Sequence, residues 1–362
     1  MSEMLEMILD SAGRMFKDYV SQELLEAAER GEWAEELWEV LTESGLLHIG
    51  ISEELDGAGG DYVDAFNVLR LAGKYAVPLP VAETLLARWL LAEQGAKPPA
   101  EPATVYAEKN HPFVLREENG RLLAGGKAEY VPWARHAKHL LTLGQLNGNS
   151  VMVLLPLEKA AIEPGANLAA EPRDTVIFEN ADVTGAPHFP IDKNKWTDKV
   201  YETGALARAA MMAGAMEQIL DLTVFYAKER KQFGRPIYRF QAIQHHLAAL
   251  TGETVACLAA LNDAIQKFGD GRKETALTKM KVSGVAGKIA EISHQVHGAI
   301  GVTHEHILHH YTRRLWSWRD EFGNERYWGA ILAGQLLNSD ETLWEFMTEE
   351  KQANLVSQGE SS

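Results

Sequence analysis

Cysteine, basic residues and long apolar runs are what this chain has little of. One cysteine, Cys257, in 362 residues excludes an intrachain disulfide framework and a site built from several thiolates, and it fits a reducing compartment. Its place in an apolar helical run reads as core filling. Lys and Arg number 35 against 51 Asp and Glu, a net charge of -16, so no surplus of cations exists to neutralise a phosphate backbone and sequence-independent nucleic-acid binding is excluded. The first stretch, "MSEMLEMILDSAGRMF", carries acids early and no long apolar run. Neither a secretory leader nor a membrane span is expected, and a cytoplasmic location is. What remains is a composition of 46% hydrophobic and 24% charged residues, close to the globular average, in a chain long enough for two or three domains.

Up to about residue 97, apolar residues recur three and four apart, as in "ELLEAAERGEWAEELWEVLTESGLL", which predicts helices. A Gly-rich insert, "GISEELDGAGGDYVDAF", reads as a connector whose Asp61 caps the next helix. From "EQGAKPPAEPATVYAE" onward prolines break the helical period. Short segments such as "RLLAGGKAEYV", "HLLTLG", "SVMVLLPL" and "DTVIFENADV" follow, with "NGR" and "NGN" as hairpin or loop signals, and predict a small β domain. Long alanine-rich helical segments return near residue 197 and predict a bundle of four helices. The expected divisions are a helical domain over 1–97, a β domain over 98–193, a four-helix bundle over 194–347 and a polar tail over 348–362.

One stretch, "RKQFGRPIYRFQAIQHHLA" over 230–248, joins basic and amide side chains to a helical apolar pattern at a Gly-Arg-Pro-Ile turn. A helix ending on Arg230, a bend at Phe233 and Gly234, and a restart near Gln241 would present groups able to hold a large anionic cofactor: a forked guanidinium for phosphate and an aromatic ring for a base. With "QVHGAIGVTHEHILHHYTRRLW" downstream at ungapped spacing, and with "GISEELDGAGG" and "PLPVAETLLARWLL" upstream, this segment resembles the acyl-CoA dehydrogenase family over nearly the whole chain. The shortened middle region is similar to subunits of heteromeric acyl-CoA dehydrogenases.

The resemblance implies a mainly α fold with a middle β-barrel-like domain, FAD as cofactor, and α,β-desaturation of an acyl-CoA thioester. It also implies an electron-transfer flavoprotein as acceptor and a homo- or hetero-tetramer with a homologous chain. The family's cofactor contacts fall on Arg230, Gln232, Phe233, Gln241, Gln295 and Gly298, with the FAD shared between protomers, and Phe233 and Gln295 are expected to contact it from opposite sides of the subunit boundary. The base that takes the α proton is in most members a Glu at the position of Phe322, and in a minority at the position of Gly204. Neither residue can accept a proton. Glu321 is one residue away and is the expected base if the chain is active alone; otherwise a partner chain carries the reaction and this one is a non-catalytic, FAD-binding partner. A third reading keeps the family but changes the flavin chemistry, as in a monooxygenase. The flavin-side loop of the family, Thr-Glu-Pro followed by Gly-Ser-Asp, has no counterpart between 100 and 150. Finally, "HEHILHHYTRR" lacks metal-ligand spacing, so no metal is expected at His304, His306, His309 or His310, and Arg313 and Arg314 are expected to make an anion-facing surface.

Overall fold

The computed structural model describes residues 3–107, 113–269 and 272–348. The expected polar tail lies, but for its first residue, outside the described residues. Five helices open the chain: α1 (Glu3–Tyr19), α2 (Gln22–Glu29), α3 (Glu35–Glu43), α4 (Tyr62–Lys74) and α5 (Val81–Ala92). Asp61 caps α4 as expected, accepting from the Asp64 amide at 3.0 Å while Asp64 accepts from the Asp61 amide at 3.2 Å, a reciprocal capping box. Eight strands follow: β1 (Ala103–Tyr106), β2 (Phe113–Glu118), β3 (Arg121–Pro132), β4 (His139–Leu146), β5 (Asn149–Pro156), β6 (Ala161–Glu163), β7 (Arg173–Asp182) and β8 (His188–Pro190). Both Asn-Gly pairs make hairpin turns, because Asn119 and Gly120, like Asn147 and Gly148, take the positive φ that a two-residue turn with the twist of its strands requires.

The strands form one mixed sheet in the order β6-β7-β3-β2-β4-β5-β8, with β1 beside the first half of β4. It is not the closed barrel that the resemblance implied: among the described residues no pairing joins β6 to β8, and the sheet is open. The reason is visible in β5, whose side chains alternate between two cores. Met152 and Leu154 pack against the helices, and Val151, Val153 and Leu155 pack into a second core on the sheet's other face. With one face already buried on helices, closure is not needed to cover the apolar surface. That double burial also explains why "SVMVLLPL" reads as a continuous apolar run.

The second half is helical: α6 (Lys193–Glu229), a hairpin of β9 (Lys231–Gln232) and β10 (Arg235–Pro236), then α7 (Gln241–Gln266), α8 (Lys273–His297), α9 (Leu308–Trp318), α10 (Glu325–Leu337) and α11 (Leu343–Thr348). At 37 residues α6 is the axis of the molecule, roughly 55 Å long at the ordinary helical rise. A methyl group on Gly73 of α4 would lie 1.9 Å from the Met211 carbonyl, and one on Gly214 of α6 would lie 1.8 Å from the Arg70 carbonyl. Reciprocal glycines thus let α4 and α6 cross backbone to backbone. Helix α9 is additional to the four expected; its His- and Arg-rich sequence reads as polar, yet Leu308, Tyr311, Leu315 and Trp318 anchor it in the core.

Candidate functional site

Two places gather the sequence-derived residues. The first is an exposed rim. Helix α6 ends at Glu229 with Arg230 as its C-cap, and Phe233 and Gly234 form the tip of the β9–β10 hairpin at φ 51° and 76°. A single 3-10 turn over Ile237–Arg239 then leads to Gln241 as the first residue of α7. Ala227, Ile237 and Val296 form one apolar cluster beneath this turn, joined by Tyr226 and Phe240, so the end of α8 is packed against the hairpin within one chain. Tyr226 stacks on His297 with ring centroids 4.5 Å apart. The structure therefore brings the two signature segments together, and Arg230, Gln232, Phe233, Gln241, Gln295 and Gly298 are all exposed. Phe233 is 92% exposed, a large apolar cost for a residue with no outside contact. Gly298 has φ 64°, where a side chain would be strained.

The second place is a cavity of about 360 Å³ where the sheet meets α6 and the turn between α9 and α10. Its walls include Tyr106, Tyr130, Pro132 and Arg173 from the sheet, Tyr201 from α6, and Glu321 and Phe322 from the turn. Tyr130 sits at φ 59° where β3 bulges against β7, the kind of irregularity that redirects a side chain beside a site.

Beneath the cavity runs a buried network of charges. Arg208 of α6 donates through Nε to Glu321 Oε2 at 2.6 Å and through Nη2 to Glu83 of α5. Arg173 of β7 donates through Nε to the other oxygen of Glu321 at 2.9 Å and through Nη2 to Glu171 at 3.3 Å. Glu171 also accepts from Trp318 Nε1 at 2.9 Å and faces Arg314 Nε at 3.5 Å. Three carboxylates meet three guanidiniums, so the network is neutral and links α5, the sheet, α6 and α9. Burial alone would raise the Glu321 carboxyl; Arg173 and Arg208 override it and hold it at about 2. A carboxylate with both oxygens engaged and so low a pKa is a poor acceptor for a carbon-bound proton.

Phe322 and Gly204, the two positions where the family's base is expected, touch. A methyl group on Gly204 would lie 2.5 Å from the Phe322 ring, which fills that space. Glu202, two residues away, is half-buried, faces Arg272 at 3.9 Å, and has its carboxyl raised by burial.

Of the histidine-rich stretch, His309 and His310 join Glu29 of α2, which no local pattern singles out. Their possible ligand atoms lie within 4.8 Å of one another. Arg313 stands among them, donating to Glu29 and, at 3.0 Å, to His309 Nδ1, so a cation already fills the place. Arg313 and Arg314 do not make the expected anion-facing surface: the first is spent on Glu29 and the second is buried against Glu171.

The model of the acyl-CoA dehydrogenase N-terminal domain matches residues 2–97 and that of the C-terminal domain matches 197–335. Acyl-CoA dehydrogenase IpdE2 of Mycobacterium tuberculosis is 33% identical over 289 residues, covering 80% of this chain and 82% of its own. The chain belongs to the acyl-CoA dehydrogenase family. IpdE2 of Mycolicibacterium smegmatis is 29% identical over 320 residues, 87% of this chain and 93% of its own. In fold, the chain is similar to one from the ChsE4-ChsE5 complex of Mycobacterium tuberculosis, with a TM-score of 0.84 at 19% identity over 94% of this chain and 99% of that one. Butyryl-CoA dehydrogenase of Megasphaera elsdenii gives 0.84 at 17% identity over 93% and 99%. Among the described residues, no helix is long and apolar enough to cross a membrane.

Proposed function

We propose that this acyl-CoA dehydrogenase chain works as the partner subunit of a two-chain enzyme: it holds part of an FAD at its exposed rim, and a homologous chain supplies the base. The observation that carries this reading is the contact of Phe322 with Gly204, which fills both places where a base would stand with an aromatic ring. Of the two carboxylates at the turn, Glu321 is committed to Arg173 and Arg208, and Asp320 is exposed and accepts from Asn324 Nδ2 at 3.0 Å. The proposed role of Glu321 is therefore structural, and among the described residues neither position expected for the base carries a carboxylate to abstract the α proton.

The rim fits the adenine and pyrophosphate half of FAD. Arg230 can fork onto two phosphate oxygens, Phe233 offers a free ring face to adenine, Gln232, Gln241 and Gln295 offer amide donors and acceptors, and Gly298 leaves its backbone open to close approach. FAD, when bound, supplies the hydride acceptor for desaturation at the β carbon. A protein of this fold, PigA, has been solved with FAD and proline, which supports the fold's capacity for the cofactor. Because the rim segments of one chain pack side by side, the proposed sharing places both signatures on one side of the cofactor and the flavin-ring side on the homologous chain. The partners in this reading are an acyl-CoA substrate, that chain in a tetramer, and an electron-transfer flavoprotein; a two-protein complex, ChsE4-ChsE5, and an electron transferring flavoprotein of Acidaminococcus fermentans among the structural neighbours support it.

The test is flavin content and anaerobic bleaching by a panel of acyl-CoAs. The chain alone is expected to retain little FAD and to bleach none, while co-expression with a homologous chain carrying the base restores both. Bleaching by the chain alone, lost in Glu321→Gln, would return Glu321 to the role of base.

A further inference from the structure

The turn between α9 and α10 is held harder than a connector needs. Phe322 has φ 54°, a backbone region costly for an aromatic residue, followed by Gly323 at φ 88°. The turn is restrained on every side. Lys279, buried in α8, donates to the Arg319 carbonyl at 2.7 Å and the Trp318 carbonyl at 3.3 Å. Ser283 adds a hydrogen bond to the Arg319 carbonyl at 3.2 Å, and Trp328 Nε1 donates to the Phe322 carbonyl at 3.0 Å. Arg173 and Arg208 clamp Glu321. Strain of this kind persists only where the surroundings over-determine it, and here it aims one ring at one glycine.

We propose that Phe322 is a plug that closes this chain's cavity to the acyl thioester, and that Glu321 is its positioning residue, fixing the ring through Arg173 and Arg208. The proposal rests on the reading of this chain as the partner subunit and goes further, because it names the side chain that keeps the second cavity out of use. Three features support it. The ring occupies the space that Gly204 leaves open, so the reacting end of a thioester would have to displace it. Tyr201, on the cavity wall, meets the ring edge-on at 6.1 Å and packs beside it on α6. Among the described residues the cavity walls carry one cation, Arg173, which is already paired with Glu171 and Glu321, and a further carboxylate, Glu129, which is paired with Lys127. None of these described residues offers an unpaired cation to an anionic CoA, so their charge does not oppose steric closure at Phe322.

The test is calorimetric titration with acetoacetyl-CoA, of the full chain alone and co-purified with a homologous chain. Wild type is expected to bind the thioester at the homologous chain's site only. Phe322→Ala should add one site per copy of this chain, and the variant chain alone should bind at least about tenfold more tightly than any residual binding of the wild-type chain alone, the gain from burying roughly two methylenes. Phe322→Leu, which refills most of the space, should keep the cavity closed and reports whether the change at 322 is tolerated. Glu321→Gln should open the site part-way; a Glu321 that served only the fold would lower stability and leave the site count at the wild-type value. An unchanged site count in folded Phe322→Ala, or wild-type chain alone binding as tightly as Phe322→Ala, overturns the plug. Flavin bleaching by the wild-type chain alone would instead sink the partner-subunit reading, so the two failures are told apart.

Discussion

The rim and the cavity treat charge in opposite ways. At the rim, Arg230 lies exposed beside Phe233, Gln232, Gln241 and Gln295, and the apolar cluster under them fixes the backbone without consuming the side chains. In the cavity floor each of Glu83, Glu171, Glu321, Arg173 and Arg208 is turned on another member of the same chain. Groups left exposed on a fixed backbone suit a ligand that arrives from outside, whereas groups neutralised inside hold the fold and offer little to a substrate. In the proposed reading, the arginine clamp that makes the turn rigid is also what withholds Glu321 from the chemistry expected of it.

The comparison is broken most strongly by removing a charge from each place. Arg208→Ala leaves the buried Glu83 unpaired and the part-buried Glu321 half-paired, and should cost about 3–5 kcal/mol of stability, read as a drop in the urea midpoint. Arg230→Ala should change the same midpoint by no more than about 0.5 kcal/mol, as expected of an exposed site. Equal losses in the two variants would abolish the distinction between rim and floor.

Function should divide the other way. Arg230→Ala is expected to weaken FAD retention in the co-purified complex by more than about tenfold, since a hydrogen bond to a charged group contributes about 1.5–3 kcal/mol. Flavin content after extensive dialysis reads it, and unchanged content would remove Arg230 from the cofactor site.

A third substitution sharpens the cavity side. Gly204→Ala puts a methyl group 2.5 Å from the Phe322 ring and should cost about 1–3 kcal/mol by overpacking. Added to Phe322→Leu, the same change should cost less than it does alone, because the smaller side chain can move aside. Additive losses would mean that the two residues do not share the space.

How much of this was readable in the sequence depends on whether the signal is local. Helical periods, the Asn-Gly turns, the Asp61 cap and the bend at Phe233 and Gly234 are set by residues near one another in the chain, and the structure has them where the pattern put them. The openness of the sheet was not legible, since it depends on which face of β4 and β5 the helices cover. Helix α9 was missed because its buried residues are separated by His and Arg whose partners, Glu29 and Glu171, come from 143 to 284 residues away. The same distance hid the fate of Glu321: its clamp is built from Arg173, 148 positions upstream, and Arg208, 113 upstream. A carboxylate one residue from the expected base reads as a candidate until those two arginines are in place.

The smallest expected effect is the pH dependence of stability, and it separates the interior groups by window. Burial and neighbouring cations lower His297 and His309 from 6.5 to about 4, with desolvation the main cause in each. A lowered pKa means that the unfolded chain takes up protons that the folded chain refuses, so this contribution is complete above pH 6.5 and is lost as pH falls towards 4. Glu321, held by Arg173 and Arg208, and Glu29, held by His310 and Arg313, are each lowered from 4.5 to about 2 against the opposing effect of burial. Their contribution is complete above pH 4.5 and is lost as pH falls towards 2, the same sign in a lower window. The urea midpoint should therefore decline in two stages on acidification. Glu321→Gln should flatten only part of the lower stage, because Glu29 still titrates there, and should leave the upper stage as it was. A variant that flattened the upper stage instead would tie Glu321 to the histidines rather than to its two arginines.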